Sequence, residues 1–314
     1  MPERCLYCYE ELNGQEKDFH KKCSFKIFGK RQPPEVDFLE SELESKGLIT
    51  LNKRKVITGV QLKLSVENQK GKDNTDRLTI TGLSGGYILK PQSEKYPYMP
   101  ELEDLTMHLA EIAGIKTVPH SLIRMKSGNL AYITKRIDRT AENEKIHMED
   151  MCQLTERLTE NKYNGSYEQV AKVIKKFTLR ELDVINYFEI VLFSFLTANS
   201  DMHLKNFSLI YSNNDDIQLS PAYDLLPVKL LLPEDEEETA LSLDGKKKKI
   251  NGKNFRQFFL RTELPEKTYH NILAKYKNLP NQWFPFIRKG FIPEKLKDKY
   301  IKTIENNLSR VNIL

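Results

Sequence analysis

The sequence lacks any hydrophobic run long enough to cross a membrane. Its most apolar stretch, residues 190–198, is short and contains Ser194 and Thr197, whereas a membrane-spanning helix needs about 20 apolar residues. The first residues also lack the basic segment and apolar core of a secretory signal, and no internal repeat or disordered tail is apparent. These absences predict a globular cytoplasmic protein that does not bind membranes.

Cysteine is scarce: the chain has four in 314 residues, and three of them fall within the first 23. This distribution argues against a disulfide framework. Cys5 and Cys8 form one close pair, and eleven residues later His20 and Cys23 form a second. Two such pairs suit a tetrahedral structural Zn²⁺ ion, so zinc is the favoured interpretation. The alternative is a small cluster of reduced cysteines packed among aromatic side chains.

Charge is not gathered into a tail. The net charge of +5 is spread along the chain, and alone it does not indicate nucleic-acid binding. A run of four lysines, residues 246–249, directly follows Asp244 and Gly245. Such a run could contact DNA or RNA, but an aspartate and a glycine favour an exposed turn.

The hydrophobic pattern predicts an α+β protein in three parts. Residues 1–47 form a Cys-rich segment with a linker helix, residues 48–140 contain most of the strands, and residues 141–314 are mainly helical. The individual elements are predicted as antiparallel strands within 49–91, a helix from about 100 to 114, two strands around 127–129, helices near 167–177 and 179–198 with Thr178 as the second N-cap, and a hairpin of 207–211 and 217–219.

The segment NSDMHLKN, residues 199–206, carries the strongest chemical signal. Asp201 and Asn206 are five positions apart, the D-x4-N spacing with which protein kinases supply a proton acceptor and a magnesium ligand. Asp224 follows eighteen residues later, where a second carboxylate would complete a Mg²⁺ site. Lys205 is a candidate to stabilise the charge of the transferring phosphoryl group.

A single D-x4-N match can be nothing more than turn-forming residues, since short motifs recur by chance. The position after a long apolar helix and the second aspartate favour ATP-dependent phosphoryl transfer. His203 could suggest a metalloenzyme, but no second histidine lies at helical ligand spacing. We therefore interpret His203 as a mainly structural residue beside the nucleotide.

Lys90 ends the run GGYILK, where a strand lysine can reach ATP phosphates. A glutamate-bearing helix follows, and Glu103 near its start is the predicted partner of the lysine; the alternative is a solvated lysine at a strand end. The run TGVQLK, residues 58–63, is too poor in glycine for a Walker loop or a kinase glycine-rich loop. Backbone amides near Gly59 and the Lys63 side chain are still candidates to cover the phosphates.

In this order the motifs resemble the HipA family of serine/threonine kinase toxins. The resemblance covers roughly residues 50–260 and is carried by several ordered segments. These are TGVQLKLS at 58–65, ILKP at 88–91, PELEDLTMHLAEIAGI at 100–115, TKRIDR at 134–139, MEDMCQ at 148–153, NSDMHLKNFSLI at 199–210 and LSPAYDLL at 219–226.

The resemblance implies a two-lobed fold related to protein and phosphatidylinositol kinases, with an antiparallel-sheet N-lobe and a mainly helical C-lobe. It implies ATP and Mg²⁺ as cofactors, with Asp201 as the catalytic base and Asn206 and Asp224 as metal ligands. The substrates would be proteins with serine or threonine acceptors, and aminoacyl-tRNA synthetases are targets of known members.

In the nucleotide site, the resemblance implies that Lys90 binds ATP phosphates and that Lys135 and Ile137 line the adenine hinge. Family members commonly carry an autophosphorylated serine just before GVQ. Thr58 is the only hydroxyl residue at those positions here, so it is the candidate autophosphorylation site.

The resemblance also implies partners. The extra N-terminal subdomain of the longer toxins has no counterpart in this sequence, as in the short, split-type members, so a small companion protein is expected to supply it. A helix-turn-helix antitoxin is the second implied partner. Because this chain has no helix-turn-helix signature, contact with DNA would be indirect.

The leading interpretation is therefore a serine/threonine protein kinase that acts as a toxin. A small-molecule or lipid kinase is the nearest alternative, because the same groups serve any hydroxyl acceptor. A non-catalytic, kinase-shaped subunit that holds an antitoxin on DNA is the alternative outside enzymes. The presence of Lys90, Asp201, Asn206 and Asp224 argues against it, since a scaffold needs none of them.

Overall fold

The structure, a computed structural model, describes residues 3–45, 62–71, 73–81, 84–140, 142–211 and 216–313. The chain divides into two compact units. The first contains Met1–Asp104, Val118–Glu144 and Lys289–Phe291, and the second contains Leu105–Thr117, Lys145–Arg288 and Ile292–Leu314. The N-terminal segment thus belongs to the same unit as the large sheet. The predicted boundaries at residues 47 and 140 stay a prediction.

The first unit is built on a six-stranded sheet with the strand order β1-β3-β2-β4-β6-β5. All neighbouring strands are antiparallel except β1 and β3, which are parallel. Its elements are α1 (Lys21–Phe28), β1 (Glu35–Val36), α2 (Glu40–Ser45), β2 (Leu64–Lys70), β3 (Asp76–Ile80), β4 (Tyr87–Lys90), the start of α3 (Met99–Ile112), β5 (His120–Arg124) and β6 (Leu130–Lys135). The predicted antiparallel strands are confirmed from Leu64 onward.

Alternating burial explains how β2 joins this sheet. Leu64 and Val66 are buried while Ser65 between them is half-exposed, which is the period-two pattern of a strand with one covered face. The turn before β4 comes very close to β2: a Cβ on Gly85 would lie 2.6 Å from the Val66 carbonyl oxygen. Glycine is therefore required at this position for the two strands to pair.

Helix α3 follows the predicted pattern. Leu102, Leu105 and Leu109 are buried at helical spacing. The helix stops before Gly114, whose φ of +78° places it in the left-handed region that favours glycine as a C-cap. The predicted helix near 100–114 is confirmed.

The second unit is mainly helical and contains a three-stranded antiparallel sheet with the order β7-β8-β9. Its elements after α3 are β7 (Met148–Asp150), α4 (Met151–Leu154), a 3₁₀ turn (Thr159–Asn161), α5 (Tyr167–Thr178), α6 (Glu181–Leu196), a 3₁₀ turn (Leu204–Asn206), β8 (Ser208–Tyr211), β9 (Ile217–Leu219), α7 (Val228–Leu231), α8 (Gly252–Leu260), α9 (Glu266–Asn278), α10 (Pro280–Lys289) and α11 (Glu294–Arg310). The predicted helices and the β8–β9 hairpin are confirmed.

The core of the second unit is aromatic. Phe188 of α6 contacts the rings of Phe255, Phe258 and Phe259 of α8 and of Tyr269 of α9, with ring centroids between 5.0 and 6.4 Å apart. These rings bury large apolar areas in edge-to-face and tilted contacts, which stabilise the packing of the three helices. Helix α6 is thereby fixed in place directly before the segment that carries Asp201.

One predicted cap is wrong. Thr178 does not begin α6; it is the last residue of α5, and its hydroxyl donates to the Ile174 carbonyl at 3.0 Å. Leu179 follows with φ +55°, which ends α5, and Arg180 is the N-cap of α6. An N-cap residue needs an extended backbone, and Thr178 is still helical.

The lysine run lies in a turn, as predicted. Asp244 and Gly245 have φ of +50° and +75°, and Leu243 and Lys246 exchange backbone hydrogen bonds across them. Lys247 and Lys248 pair with Glu237 and Glu236, which lie in an acidic run at residues 234–238. These two ion pairs offset part of the charge of each run. No helix among the described residues is long and apolar enough to span a membrane.

Candidate active site

A buried ion pair lies at the end of strand β4. The Nζ atom of Lys90 is 2.5 Å from Oε1 of Glu103 in α3, and the two side chains are only 5% and 1% exposed. The Lys90 ammonium also lies 5.2 Å from the centre of the Tyr132 ring. Strand β4 and helix α3 thus bring together the lysine and the glutamate that the sequence analysis paired.

The burial of this pair has an energetic consequence. Removing two charges from water costs several kcal/mol per ion, and the attraction between them repays this only in good geometry. The presence of a buried ion pair is therefore weak evidence that the pair stabilises the fold. It is better evidence that the lysine charge is retained because the protein uses it.

The hinge candidates lie at the end of β6 and just beyond it. Lys135 is exposed at the end of the strand, and its N–H donates to the Pro119 carbonyl at 2.9 Å. The next amide, that of Arg136, donates to the Gly86 carbonyl at 2.9 Å. Ile137 is the first residue beyond these two engaged amides.

The loop between α6 and β8 carries Asp201, and Asn199 organises it. Ala198 turns the chain out of α6 with φ +62°. The buried Asn199 then accepts a hydrogen bond on Oδ1 from the Asp201 amide at 3.2 Å, and its Nδ2 donates to the Asp224 carbonyl at 3.4 Å. One side chain thus joins the two segments that bear the candidate carboxylates.

The Asp201 side chain is 45% exposed and is held at one oxygen. Tyr163 donates its hydroxyl to Oδ1 at 2.8 Å. Asn206 donates its Nδ2 to the Asp201 carbonyl at 3.0 Å. Because the Asn206 amide nitrogen is used in this way, its Oδ1 is the atom that can ligate a cation.

Asp224 follows a well-anchored tyrosine. The Tyr223 hydroxyl donates to the Lys205 carbonyl at 3.1 Å and lies 2.6 Å from the Ser208 hydroxyl. Asp224 itself has φ +56°, a conformation that aspartate tolerates better than most residues. Its half-buried carboxylate and the Asn206 oxygen are the hard donors that suit Mg²⁺.

Lys205 forms an ion pair with Asp150, with Nζ 2.5 Å from Oδ2. Asp150 also caps helix α4 by accepting from the Gln153 amide at 3.0 Å. The Lys205 side chain is 36% exposed in this pair. A phosphoryl group that contacts Lys205 would therefore share the ammonium with Asp150.

His203 is buried against Tyr163, with ring centroids 5.2 Å apart. Burial lowers the pKa of His203 to about 4, and the neighbouring Asp201 carboxylate opposes this only in part. Among the described residues, Nδ1 has no hydrogen-bond partner. The ring is thus neutral at pH 7, which fits a packing role better than proton transfer.

A pH titration tests this state of His203. The unfolded imidazole binds a proton below its ordinary pKa of 6.5, while the folded one does so only below about 4. Above pH 6.5 the neutral His203 ring therefore costs the folded state nothing. As the pH falls from 6.5 toward 4, the free energy of unfolding decreases, because only the unfolded chain gains the proton. The decrease should reach about 2 kcal/mol at pH 5. Without nucleotide or magnesium, NMR of the ring, assigned with His203→Gln, should show a midpoint near 4. A midpoint near 6.5 would contradict the burial argument.

The first unit contains a second cluster of ligand-type side chains, remote in sequence from these motifs. Cys5, Cys8, His20 and Cys23 each place one ligand atom within 4.8 Å of the others. The structure therefore brings together all four residues of the predicted zinc set. Cys152 lies apart from them, buried in the second unit.

Other predicted residues are placed individually. Lys63 is exposed just before β2, and Gly59 and Thr58 lie outside the described residues. Asn199 and Tyr163 are contributors that the motif search missed. Asn199 is the first residue of the segment NSDMHLKN, and its side-chain amide, which can both donate and accept, could have indicated a bridging role. Tyr163 has no such signal in the neighbouring sequence.

The sheet-based first unit and the mainly helical second unit make the chain an α+β protein, and two solved structures share its kinase-like fold. The chain belongs to the HipA-like C-terminal domain family, whose model matches residues 56–283. The family resemblance and the fold class predicted from the sequence are thereby confirmed.

Relatives agree with this assignment. The chain is 34% identical over 204 residues to the Sinorhizobium fredii protein named "Putative kinase Y4dM", covering 61% of this chain and 49% of the relative. It is 31% identical over 171 residues to a Haemophilus influenzae protein named "Putative kinase", covering 51% and 50%. The chain thus spans about half the length of the curated relatives it matches.

Two solved structures share the fold. A chain from the Shewanella oneidensis MR-1 toxin–antitoxin complex of HipA, HipB and operator DNA aligns with a TM-score of 0.66 and 20% identity, over 82% of this chain and 64% of that one. The Helicobacter pylori proinflammatory kinase CtkA aligns with a TM-score of 0.55 and 16% identity, over 78% and 94%. At these identities the similarity describes the fold.

Proposed function

We propose that this chain is an ATP- and Mg²⁺-dependent kinase that phosphorylates serine or threonine side chains of proteins. The observation that carries the proposal is the buried Lys90–Glu103 ion pair. A strand lysine fixed by a helix glutamate is the device with which kinases bind ATP phosphates. The loop that carries Asp201 and Asn206, joined by the Asn199 side chain to the segment that carries Asp224, supports the same reaction.

In the proposed reaction, the Asp201 carboxylate accepts the proton of the acceptor hydroxyl. The hydroxyl oxygen forms a bond to the γ-phosphorus of ATP, and the bond from that phosphorus to the bridging oxygen breaks, so ADP leaves with the electron pair. The Tyr163 hydrogen bond on Oδ1 orients the carboxylate. The other oxygen, Oδ2, then meets the acceptor proton.

Asn206 through Oδ1 and Asp224 through its carboxylate would hold Mg²⁺, which supplies positive charge against the ATP phosphates. The geometry is compatible with this role, because the Asn199 side chain ties the Asp224 backbone to that of Asp201. The protein's own task is to keep the two oxygen ligands and the base in a fixed arrangement.

The remaining residues receive supporting roles. Lys205 would add positive charge near the transferred group, and Lys63 would cover the phosphates together with the amide of Gly59. Lys135 and Ile137 would line the adenine through backbone atoms, with Ile137 supplying the donor because the Lys135 amide already bonds Pro119. His203 would pack beside the nucleotide, and Thr58 stays the predicted autophosphorylation site.

We further propose a toxin–antitoxin role, supported by family membership and by the fold shared with the HipA, HipB and operator DNA complex. The expected partners are a helix-turn-helix antitoxin and a small companion protein. A translation protein such as an aminoacyl-tRNA synthetase is the proposed acceptor. Because the sequence has no helix-turn-helix signature, operator binding is assigned to the antitoxin.

The test of catalysis uses γ-labelled ATP and a bacterial lysate as the source of acceptors. Asp224→Ala removes one metal ligand and should lower label transfer at least about 100-fold. The matched control is Asp298→Ala, which removes an exposed aspartate that pairs with Arg288 and should change transfer less than twofold. Equal labelling by wild type and Asp224→Ala would refute the proposed kinase.

The same two variants test the toxin role. Expression of wild type and Asp298→Ala should arrest bacterial growth, while Asp224→Ala should not. An active kinase whose expression leaves growth unchanged would refute the toxin role and leave the phosphotransferase standing.

A further inference from the structure

The N-terminal segment has a geometry that the proposed phosphoryl transfer does not use. The Nδ1 atom of His20 lies 3.4 Å from Sγ of Cys8 and 3.7 Å from Sγ of Cys23. Zn–S bonds of about 2.3 Å and Zn–N bonds of about 2.1 Å in a tetrahedron place sulfur and nitrogen about 3.6 Å apart. The two separations therefore match the edges of a zinc tetrahedron.

A hydrogen bond outside the cluster sets the histidine tautomer. The Nε2 atom of His20 lies 3.0 Å from the Glu11 carbonyl oxygen. A carbonyl only accepts, so Nε2 carries the proton and Nδ1 presents its lone pair toward the thiols. Metal-bound histidines are usually held by such a contact to their second nitrogen.

We infer that Cys5, Cys8, His20 and Cys23 bind one structural zinc ion. Four protein ligands fill the coordination shell, so the site has no open position for a substrate. Three cysteines and one histidine exclude a fully paired disulfide arrangement, and the cysteines are free thiols. Packing alone would require neither a histidine tautomer fixed by Glu11 nor ligand atoms converging on one point.

The segment from Cys5 to Cys23, which we call the knuckle, covers an edge of the sheet. Strand β5 is the last strand in the sheet order, and its Leu122 amide donates to the Leu6 carbonyl at 3.2 Å. The Ser121 hydroxyl donates to the same carbonyl at 3.1 Å. Arg124 of β5 binds Asp18 through two nitrogens, at 2.9 and 2.7 Å. The zinc-bound segment would thus protect an edge that otherwise presents unpaired backbone groups.

The knuckle also contacts helix α3. The buried Tyr9 hydroxyl donates to Oδ2 of Asp104 at 2.8 Å, and Oδ1 of Asp104 lies 2.7 Å from Nδ1 of His120. Asp104 is the chain neighbour of Glu103. Zinc binding would therefore stabilise the turn of α3 that carries Glu103, the partner of Lys90. Only the importance of this turn for ATP binding rests on the proposed function.

Metal analysis of the purified full chain tests the inference. Wild type, grown with zinc and dialysed against metal-free buffer, should retain about one zinc per chain. Cys8→Ser should retain less than about one tenth of that amount. Cys152→Ser is the matched control, since Cys152 lies outside the cluster, and it should keep the metal. Less than about half an equivalent in wild type, equal loss in Cys152→Ser, or stoichiometric iron instead of zinc would overturn the inference.

A second pair of variants separates ligation from packing. His20→Cys creates a four-thiolate set and should keep zinc, whereas His20→Ala should lose it. With cobalt in place of zinc, His20→Cys should show stronger thiolate charge-transfer absorption than wild type. If His20→Ala keeps as much zinc as wild type while circular dichroism reports folded protein, His20 is not a ligand and the four-ligand site is wrong.

Hydrogen exchange locates the structural consequence without any assay of activity. Removal of zinc with a chelator should speed exchange at least about tenfold in the peptide that covers β5. The peptide that covers β8, in the other unit, should keep its rate. Unchanged exchange in β5 after confirmed metal loss would overturn the role of zinc in covering this edge.

Discussion

Asp201→Asn should lower the kcat of phosphoryl transfer by about 10²–10⁴-fold, the contribution typical of a general base. Asparagine has the same shape and can still accept the hydrogen bond that Tyr163 donates at 2.8 Å. The loop should therefore keep its structure. The amide cannot take the proton of the acceptor hydroxyl, so the loss should appear in kcat while KM for ATP changes little.

The measurement is steady-state label transfer at several ATP concentrations, with the melting temperature of each variant as the fold control. Tyr163→Phe is the matched variant for the environment of Asp201. It removes only the hydrogen bond on Oδ1 and should cost about tenfold in kcat, because the carboxylate loses its orientation. Asp201→Asn with wild-type kcat would show that another group accepts the proton.

A further outcome would change the assignment of roles. If Asp201→Asn raises KM for ATP strongly while kcat holds, Asp201 acts in binding the nucleotide or its metal ion. The backbone link from Asn206 to the Asp201 carbonyl at 3.0 Å is unaffected by this substitution. An effect on KM could then not be assigned to a displaced Asn206.

The sequence predicted the chemistry of the loop but not the contacts that fix it. The D-x4-N spacing is local, so Asp201 and Asn206 could be selected by inspection. Asn199 binds the Asp224 carbonyl across 25 residues, and Tyr163 reaches Asp201 across 38. Such contacts depend on tertiary approach and leave no periodicity to detect.

The same distinction applies to the fold. Helix α3 and strand β2 have several buried residues at regular spacing, and both were predicted. Strand β1, Glu35–Val36, has two residues and pairs in parallel with β3; a strand this short shows no alternation. Thr178 has the chemistry of an N-cap, but the left-handed Leu179 after it ends the preceding helix instead. Cap chemistry alone does not tell the two ends of neighbouring helices apart.

The Lys90–Glu103 pair allows stability and function to be tested separately. Lys90→Met should lower the free energy of unfolding by about 3–5 kcal/mol, because it leaves the Glu103 charge buried without its cation. Label transfer should fall at least about 100-fold. Loss of activity in this variant alone is ambiguous, since both a missing phosphate ligand and a distorted fold would explain it.

The double variant Lys90→Met, Glu103→Leu removes that ambiguity. Both charges are replaced by apolar side chains of similar size, and such replacements of buried pairs are often neutral or stabilising by about 1–4 kcal/mol. We expect urea unfolding to show most of the lost stability restored, while label transfer stays as low as in Lys90→Met. The Tyr132 ring, 5.2 Å from the Lys90 ammonium, offers an apolar surface against which methionine can pack.

Two results would contradict this view of the pair, and each has a different meaning. Recovered stability together with recovered activity would show that Lys90 is needed only for the fold, which would remove the main support for the kinase proposal. Failure of the double variant to recover stability would show that the pair itself holds β4 against α3.

Glu103→Gln then shows whether Lys90 is needed for ATP or only for the fold, because it keeps the lysine and a hydrogen bond while removing the negative charge. If Lys90 serves ATP, Glu103→Gln should keep more activity than Lys90→Met at equal stability, since the cation that meets the phosphates is still present.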